Sequence, residues 1–525
     1  MSTEEQDVIV VGGGNAALCA ALAAREHCAR VLVLERAPAD EAGGNSRFTA
    51  GAMRVVYNGV EDLKDLMPDL TDDEIAQTDF GTYTSDQFFD DMGRITQYRC
   101  DPDLTELLVT KSFETLAWMR TKGVRFVPIW GRQAFKVDGR FKFWGGLTVE
   151  TWGGGEGLVD ALTKAAKKHG IDVWYSARAF ELIHDDDGVR GVRVKFEGKT
   201  MEVRGKAVVL AGGGFQANPE WRAKYLGPNW ELAKVRGTRF NTGDVIRMAL
   251  DMGAAAAGNW SGCHAVGWER NAPEFGDLRI GDQFQKHSYP WGIMVNAEGK
   301  RFVDEGADFR NYTYAKYGRA ILNQPGQFAW QIFDRKVLHL LRDEYRIQQV
   351  TKASANTLEE LVRKLEDVDA DGALAEINAY NRAVKQDVPF NPNVKDGRGT
   401  LGLTVSKSNW ANTIDEPPFE AYAVTCGITF TFGGLKIDTG ARVISTDGIP
   451  IPGLYAAGEL VGGIFYFNYP GGTGLTNGAV FGRIARDPRV QQGGAQGRAL
   501  QHGNQGRPLH DGPEDQQVEL GEYPR

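Results

Sequence analysis

Cysteine is scarce in this chain. Five occur in 525 residues (Cys19, Cys28, Cys100, Cys263 and Cys426), and no two stand at CxxC or CxxCH spacing. Ligation of c-type haem, iron–sulfur or zinc has no support, so no metal is expected and redox chemistry would need an organic cofactor. Basic charge is not in excess either: 60 Lys and Arg face 69 Asp and Glu, a formal net charge of -9. Without a basic stripe, nucleic acid is excluded as a partner. No uninterrupted apolar run reaches membrane-spanning length, and the first one is broken by Gly12, Gly13, Gly14 and Asn15. The opening "MSTEEQDVIVVGGG" is acidic and lacks the basic-then-apolar order of a secretion signal. A cytoplasmic protein with no direct membrane insertion is the expectation. No internal repeat occurs. What remains is ordinary for a globular protein, 42% apolar and 25% charged, and long enough for two or three domains.

Glycine, by contrast, is clustered where it carries information. "DVIVVGGGNAALCAALAAREHCARVLVLERA" reads as a β-branched strand over Asp7–Val11, a glycine turn, a small-residue helix, and a second strand over Arg30–Leu34 ending at Glu35. Gly12 and Gly14, with Ala17 at the third small position, fit the G-x-G-x-x-G/A fingerprint. Gly12 permits the tight turn, Gly14 lets a pyrophosphate approach the backbone, and the helix N-terminus supplies amide donors. Glu35 lies twenty-one residues after Gly14, where a carboxylate can accept ribose hydroxyls. A βα turn binding nothing is the bland alternative, and the strand–helix–strand–acid order argues against it.

Further motifs follow in order. "GGNSRFTAGAMR" (Gly43–Arg54), "AVVLAGGGFQANPEW" (Ala207–Trp221) and "IPIPGLYAAGELVGG" (Ile449–Gly463) resemble, respectively, the isoalloxazine-side loop, the third dinucleotide strand and the late acid-bearing strand of the fumarate reductase/succinate dehydrogenase flavoprotein superfamily. The resemblance spans about residues 7 to 485. It implies an α/β fold: a Rossmann-like FAD-binding domain of glutathione-reductase type with an inserted α+β capping domain. The expected division is 1–262 and 425–486 for the two FAD-binding segments, 263–424 for the cap, and 487–525 for a disordered tail rich in Gly, Gln, Arg and Pro. The implied FAD contacts are Gly12, Gly14, Asn15, Ala16, Ala17, Glu35, Arg36, Gly44, Asn45, Ser46, Thr49, Gly51, Ala179, Ala211, Gly212, Gly213, Asp244, Gly458, Glu459, Gly474, Leu475 and Thr476. Succinate dehydrogenases attach flavin through a histidine in the loop after the second strand. Gly43–Arg54 contains none, so FAD is expected to be non-covalent. The helix starting near Leu475 would aim its amide end at the flavin edge where negative charge collects on reduction.

The substrate side departs from fumarate reductases. Their substrate-binding histidine and arginine correspond here to Phe430 and Tyr469, which disfavours simple fumarate reduction and leaves "YPGGTG" resembling the Tyr-Pro-Gly turn of 3-ketosteroid dehydrogenases. His264, His287, Arg310 and Tyr469 are the catalytic candidates; Lys316, Tyr312 and Arg54 are further donors. Without the resemblance, His264 reads as a buried core histidine. Arg310, near Asp304, Glu305 and Asp308, reads as part of a solvated salt-bridge cluster. The aromatic run Phe465, Tyr466, Phe467 and Tyr469 is expected to wall the substrate chamber. The combination most resembles the FAD-dependent tricarballylate dehydrogenase branch, which implies desaturation of a CH–CH bond beside a carboxylate, tricarballylate giving cis-aconitate. The small-molecule substrate would thus be a polycarboxylate, or else a ketone if a desaturase of apolar natural products is the better reading. A flavin-binding module without catalysis is the third. A separate electron-acceptor protein or quinone-linked partner would reoxidise the flavin.

Overall fold

The computed structural model describes residues 5–27 and 30–485. The expected tail over 487–525 falls outside these residues.

Valine and isoleucine build the first sheet. Val8, Ile9, Val10 and Val11 of strand Gln6–Val11 are buried on both faces, as parallel strands covered on both sides require. This strand pairs in parallel with Val31–Leu34 on one side and with Lys199–Leu210 on the other; Asp172–Trp174 extends the sheet beyond Val31–Leu34. Lys199–Leu210 serves two partners in turn. Its first half pairs antiparallel with Gly188–Phe196, which in turn pairs with Arg178–Asp185; its last residues, Val208–Leu210, pair in parallel with Pro450–Ala456. The small-residue helix Asn15–Arg25 and the late helix Thr473–Ile484 pack on each other so closely that a Cβ on Gly482 would stand 2.5 Å from the Ala16 carbonyl oxygen. At the carboxyl ends of three neighbouring parallel strands stand Gly12, Ala211 and Ala457, which is where open α/β sheets bind ligands.

Between these segments, Glu61–Val149 contains several helices, the longest being Pro102–Thr121, and the hairpin Ala134–Val137/Arg140–Phe143. A second sheet is organised around the 17-residue strand Phe419–Leu435. Lys234–Val235, Ala256–Glu269, Phe328–Phe333 and Lys352–Ala355 all pair with it, and Ile293–Val295 pairs with Phe328–Phe333. Positions 263 and 424 lie inside two of these strands. The register of Ala256–Glu269 against Phe419–Leu435 shifts beside His264: His264 faces Phe430, but Ala265 faces Ile428, which leaves Thr429 as an extra residue. Such a bulge re-aims side chains and breaks the two-residue alternation. Among the described residues no helix is long and apolar enough to cross a membrane.

Candidate active site

A continuous cavity runs from the carboxyl ends of the first sheet to the bulge of the second. Its first half is lined by Gly12, Gly13, Gly14, Asn15 and Ala16, then Glu35 and Arg36, with Ala211, Gly212 and Gly213 opposite. Small residues are required here. A Cβ on Gly12 (φ +122°) would come within 2.3 Å of the Ala211 carbonyl oxygen, so the two strand ends could not close on each other. The helix Asn15–Arg25 begins at Gly14 with no side-chain cap and no acid in its first turn. Its first amide donates to Ser46 Oγ at 3.0 Å. Uncapped amides at a helix N-terminus suit a phosphate.

Two buried carboxylates flank this half. Glu35 is 6% exposed, accepts from the Ala37 amide at 2.7 Å and from the Gly13 amide, and is pushed above the ordinary carboxylate range by burial. Glu459 accepts from the Thr431 amide at 3.0 Å and from Gln216 Nε2 at 3.2 Å; burial pushes it up to about 7. Asp244 also lines the cavity, with its carboxylate taken by Arg36 (3.1 Å) and Arg178 (2.7 Å). Gly44, Asn45, Ser46, Thr49, Ala179, Gly458, Gly474 and Leu475 lie in the wall as expected. Three expected contacts do not. Ala17 faces the helix packing at 0% exposure, Gly51 lies so close to Thr151 that a Cβ would reach its Oγ1 at 2.1 Å, and Thr476 donates its hydroxyl to the Arg54 carbonyl oxygen at 2.8 Å. The late helix starts at Thr473 rather than near Leu475, after Gly472 at φ 84°.

The other half of the cavity carries charge. Arg132, Arg236 and Arg310 line it together with Asp282, Gln285, His264 and His287. Asp282, 4% exposed at its side chain, accepts from Arg236 at 2.5 Å, from Arg132 at 2.8 Å and from Gln285 Nε2 at 2.7 Å. Arg310 is 5% exposed and donates through Nη2 to the Arg132 carbonyl oxygen at 2.6 Å. Burial lowers its proton affinity, the nearby Glu344 raises it, and Arg132 lowers it again. His287 is held well below its ordinary value by burial and by three cations, Arg310, Arg236 and Arg132, with His264 adding to the same effect. The three arginines and this imidazole line one cavity. His264 is likewise held neutral, by burial and then by Arg236. Neither ring nitrogen of His264, nor Nε2 of His287, has a hydrogen-bond partner among the described residues. Buried imidazoles left in that state mark a place for a polar ligand.

An aromatic wall completes the chamber. The His264 ring stands edge-on to Tyr314 (4.9 Å) and Tyr469 (4.8 Å), with Phe430 at 5.2 Å. The Tyr469 and Tyr314 hydroxyls hydrogen-bond each other, and burial raises both phenols. Beside the bulge at Thr429, four consecutive residues, Thr429, Phe430, Thr431 and Phe432, line the cavity. Of the aromatic run, Phe465 and Tyr469 line the chamber; Phe467 does not, being 48% exposed. Arg54 and Lys316 are corrected as well. Arg54 is fully buried behind the chamber, donating to the Gly471 and Gly145 carbonyl oxygens at 2.9 and 3.0 Å and sandwiched by the Tyr83 and Tyr312 rings. Lys316 is exposed, its ammonium over the Tyr317 ring. The acids near Arg310 in sequence turn elsewhere: Glu305 to Arg301, Asp308 to Arg94, Asp304 to Ser408. Sequence reading missed Arg132, Arg236, Asp282, Gln285 and Tyr314.

A family model described as FAD binding domain matches residues 7–475. The chain belongs to this family. The glycine-lined half of the cavity, with its uncapped helix and flanking carboxylates, has the chemistry that a dinucleotide needs. A probable fumarate reductase of Shewanella frigidimarina (strain NCIMB 400) is 30% identical over 507 residues, covering 92% of this chain and 75% of the relative. Among solved structures, the open conformation of a flavocytochrome c3 fumarate reductase superposes with a TM-score of 0.69 at 27% identity, over 93% of this chain and 78% of that one. The 3-ketosteroid delta1-dehydrogenase of Sterolibacterium denitrificans reaches 0.71 at 22% identity, over 93% and 100%, and shows the shared fold. The protein is an FAD-dependent oxidoreductase acting on carbon–carbon bonds, CH–CH or C=C.

Proposed function

We propose that this oxidoreductase interconverts a saturated and an α,β-unsaturated polycarboxylate, with tricarballylate and cis-aconitate as the first pair to test. The observation that carries the reading is the presence of Arg132, Arg236 and Arg310 in one cavity with neutral His287, with Asp282 the carboxylate lining that end. Replacement of two cationic positions by Phe430 and Tyr469 removed less than it suggested, since other segments bring arginines to the same chamber. A tricarboxylate with about three negative charges at neutral pH suits that excess.

FAD, when bound, supplies the hydride acceptor or donor. Arg236, fixed through Nε (2.8 Å) and Nη2 on Asp282, keeps its fork rigid for a substrate carboxylate. Neutral His264 and His287 offer N–H donors without bringing further charge. Arg310, tethered at Nη2 by the Arg132 carbonyl, is assigned the proton at the substrate carbon next to a carboxylate. Phe430 and Phe465 keep that carbon out of water. The second sheet with its helices is assigned the role of a cap, and FAD is assigned a non-covalent attachment because Gly43–Arg54 holds no histidine. Electrons leave or enter through a separate protein or a quinone-linked partner.

The Tyr469–Tyr314 hydroxyl pair supports a second reading, polarisation of a ketone oxygen in a 3-ketosteroid-like desaturase. Anaerobic titration with tricarballylate, succinate and a 3-ketosteroid, following bleaching of the flavin, separates the two. The dithionite-reduced protein is titrated in parallel with cis-aconitate and fumarate. Flavin that responds to the steroid alone would overturn the polycarboxylate reading.

A further inference from the structure

A second cavity adjoins the first, and the two share Thr49, Ala50, Arg132 and Asp282 as a common wall. The charged part of that wall is the Arg132–Asp282 ion pair at 2.8 Å, with the Arg132 side chain 19% exposed. The second cavity is also lined by Glu150, in strand Val149–Thr151. Its carboxyl is pushed up to about 7 by burial, and Arg132 acts against that rise. Arg132 thus pairs with a carboxylate of the shared wall, Asp282, while a second carboxylate, Glu150, lines the second cavity alone. The outer walls carry Arg47, Arg125 and Arg279, each engaged in an ion pair with a partly or fully exposed partner: Arg47 with Glu156 at 3.0 Å, Arg125 with Asp69 at 2.8 Å, Arg279 with Asp277 at 2.6 Å. Exposed pairs of this kind are weak and give way to another anion at little cost. Trp152, 60% exposed, supports the Arg125 guanidinium 4.6 Å from its ring.

We propose that the second cavity is the vestibule through which anionic substrate reaches the chamber, and that Arg132 is its anion-selecting gate. With Arg132 on Asp282 the wall is closed; with its guanidinium drawn to Glu150 or to an entering carboxylate, the passage between Thr49, Ala50 and Asp282 opens. The main-chain carbonyl of Arg132 holds Arg310 in either case, so side-chain movement leaves the assigned proton donor in place. The proposal rests on reading the His287 end of the first cavity as the substrate chamber, but not on which anion is turned over.

Dithionite and reduced benzyl viologen serve as probes, an anionic and a cationic reductant of the bound flavin, because neither requires the natural substrate. In the FAD-loaded full-length protein, Gln283→Cys places a thiol in the vestibule wall for a bulky maleimide. The label is expected to slow dithionite reduction about tenfold or more while the flavin spectrum stays unchanged. In Arg132→Met, the rate ratio of dithionite to viologen is expected to fall about tenfold or more, the lower end of what electrostatic focusing in a charged cleft supplies. Fully labelled protein reduced at the parent rate would overturn the vestibule. A ratio unchanged in Arg132→Met would overturn the gate. Slowed dithionite in protein that turns over neither tricarballylate nor cis-aconitate would leave the vestibule standing and sink the polycarboxylate assignment instead.

Discussion

Asp282→Asn tests the electrostatic account of the chamber directly. The substitution keeps shape and one acceptor oxygen but removes the charge that two guanidinium groups share. Asp282 and Arg236 are 4% and 8% exposed at their side chains, so water cannot make up the loss. Breaking a buried pair by removing one partner costs about 3–5 kcal/mol, because the remaining charge is left uncompensated. Unfolding entropy is about 2.1 cal/mol/K per residue, roughly 1 kcal/mol/K for a chain of this size, so the loss reads as a Tm lower by about 3–5 °C. The signal is flavin fluorescence released on heating the FAD-loaded protein. A polycarboxylate that fills the place of the missing charge should restore part of the Tm, and should protect the variant by more degrees than it protects the parent. A Tm within 1 °C of the parent, or equal protection of both, refutes the view that Asp282 balances a cation site built for anions.

Gly14→Val is expected to fold, since Gly14 has extended φ and ψ (-84°, -173°) and a Cβ would meet nothing nearer than 3.4 Å, yet to purify without flavin because the branched side chain occupies the pyrophosphate's approach. Retained yellow colour refutes the placement. Tyr469→Phe removes the hydroxyl assigned to a substrate oxygen, and losing a hydrogen bond to a buried charged partner costs about 1–3 kcal/mol, about tenfold to a hundredfold in kcat/KM. Arg310→Gln should lose about 10²–10⁴-fold in flavin reduction by substrate, with Arg310→Lys giving incomplete recovery; parent-like rates would make Arg310 structural. His287 is held neutral in the fold, below its unfolded value of about 6.5, so the unfolded chain binds the extra proton and stability is lost as pH falls below that value. The Tm of the parent should therefore fall more steeply than that of His287→Gln between pH 7.5 and 5.5; equal slopes would show that His287 carries its proton in the fold. Acid precipitation should release the flavin into the supernatant, and flavin kept in the pellet would contradict non-covalent binding.

The FAD half of the site was legible because its parts are consecutive. Strand, Gly12, Gly14 and helix form one βα turn, and the physical demand at each position (a left-handed φ, a missing Cβ, an uncapped amide) falls on a residue type that can be recognised alone. Ala17 and Thr476 were assigned by the same contiguity and proved to face away, because a helix turns a neighbouring position by about 100°, enough to move a side chain from ligand to core. The substrate half offers no such run. Arg132, Arg236 and Arg310 come from separate segments and meet the loop that carries Asp282 and His287, and nothing local distinguishes a buried acid shared by two arginines from an acid in water. Asp304, Glu305 and Asp308 show the converse: they stand beside Arg310 in sequence, yet Glu305 and Asp308 pair with Arg301 and Arg94 in space and Asp304 accepts from Ser408.

His264 shows what a pattern does carry across that gap. Its alternation within Ala256–Glu269 is compatible with either face of the sheet, and only the bulge opposite, at Thr429, turns it toward Phe430 and Tyr469. A bulge costs ladder hydrogen bonds and leaves one residue unpaired. Here the unpaired residue, Thr429, lines the cavity and places its hydroxyl 3.3 Å from Arg236 Nη1. The irregularity and the chamber are thus the same feature seen at two scales. A variant that restores regular pairing by deleting Thr429 would shift the register opposite His264 and take the Arg236 contact away, while leaving every glycine of the dinucleotide turn in place.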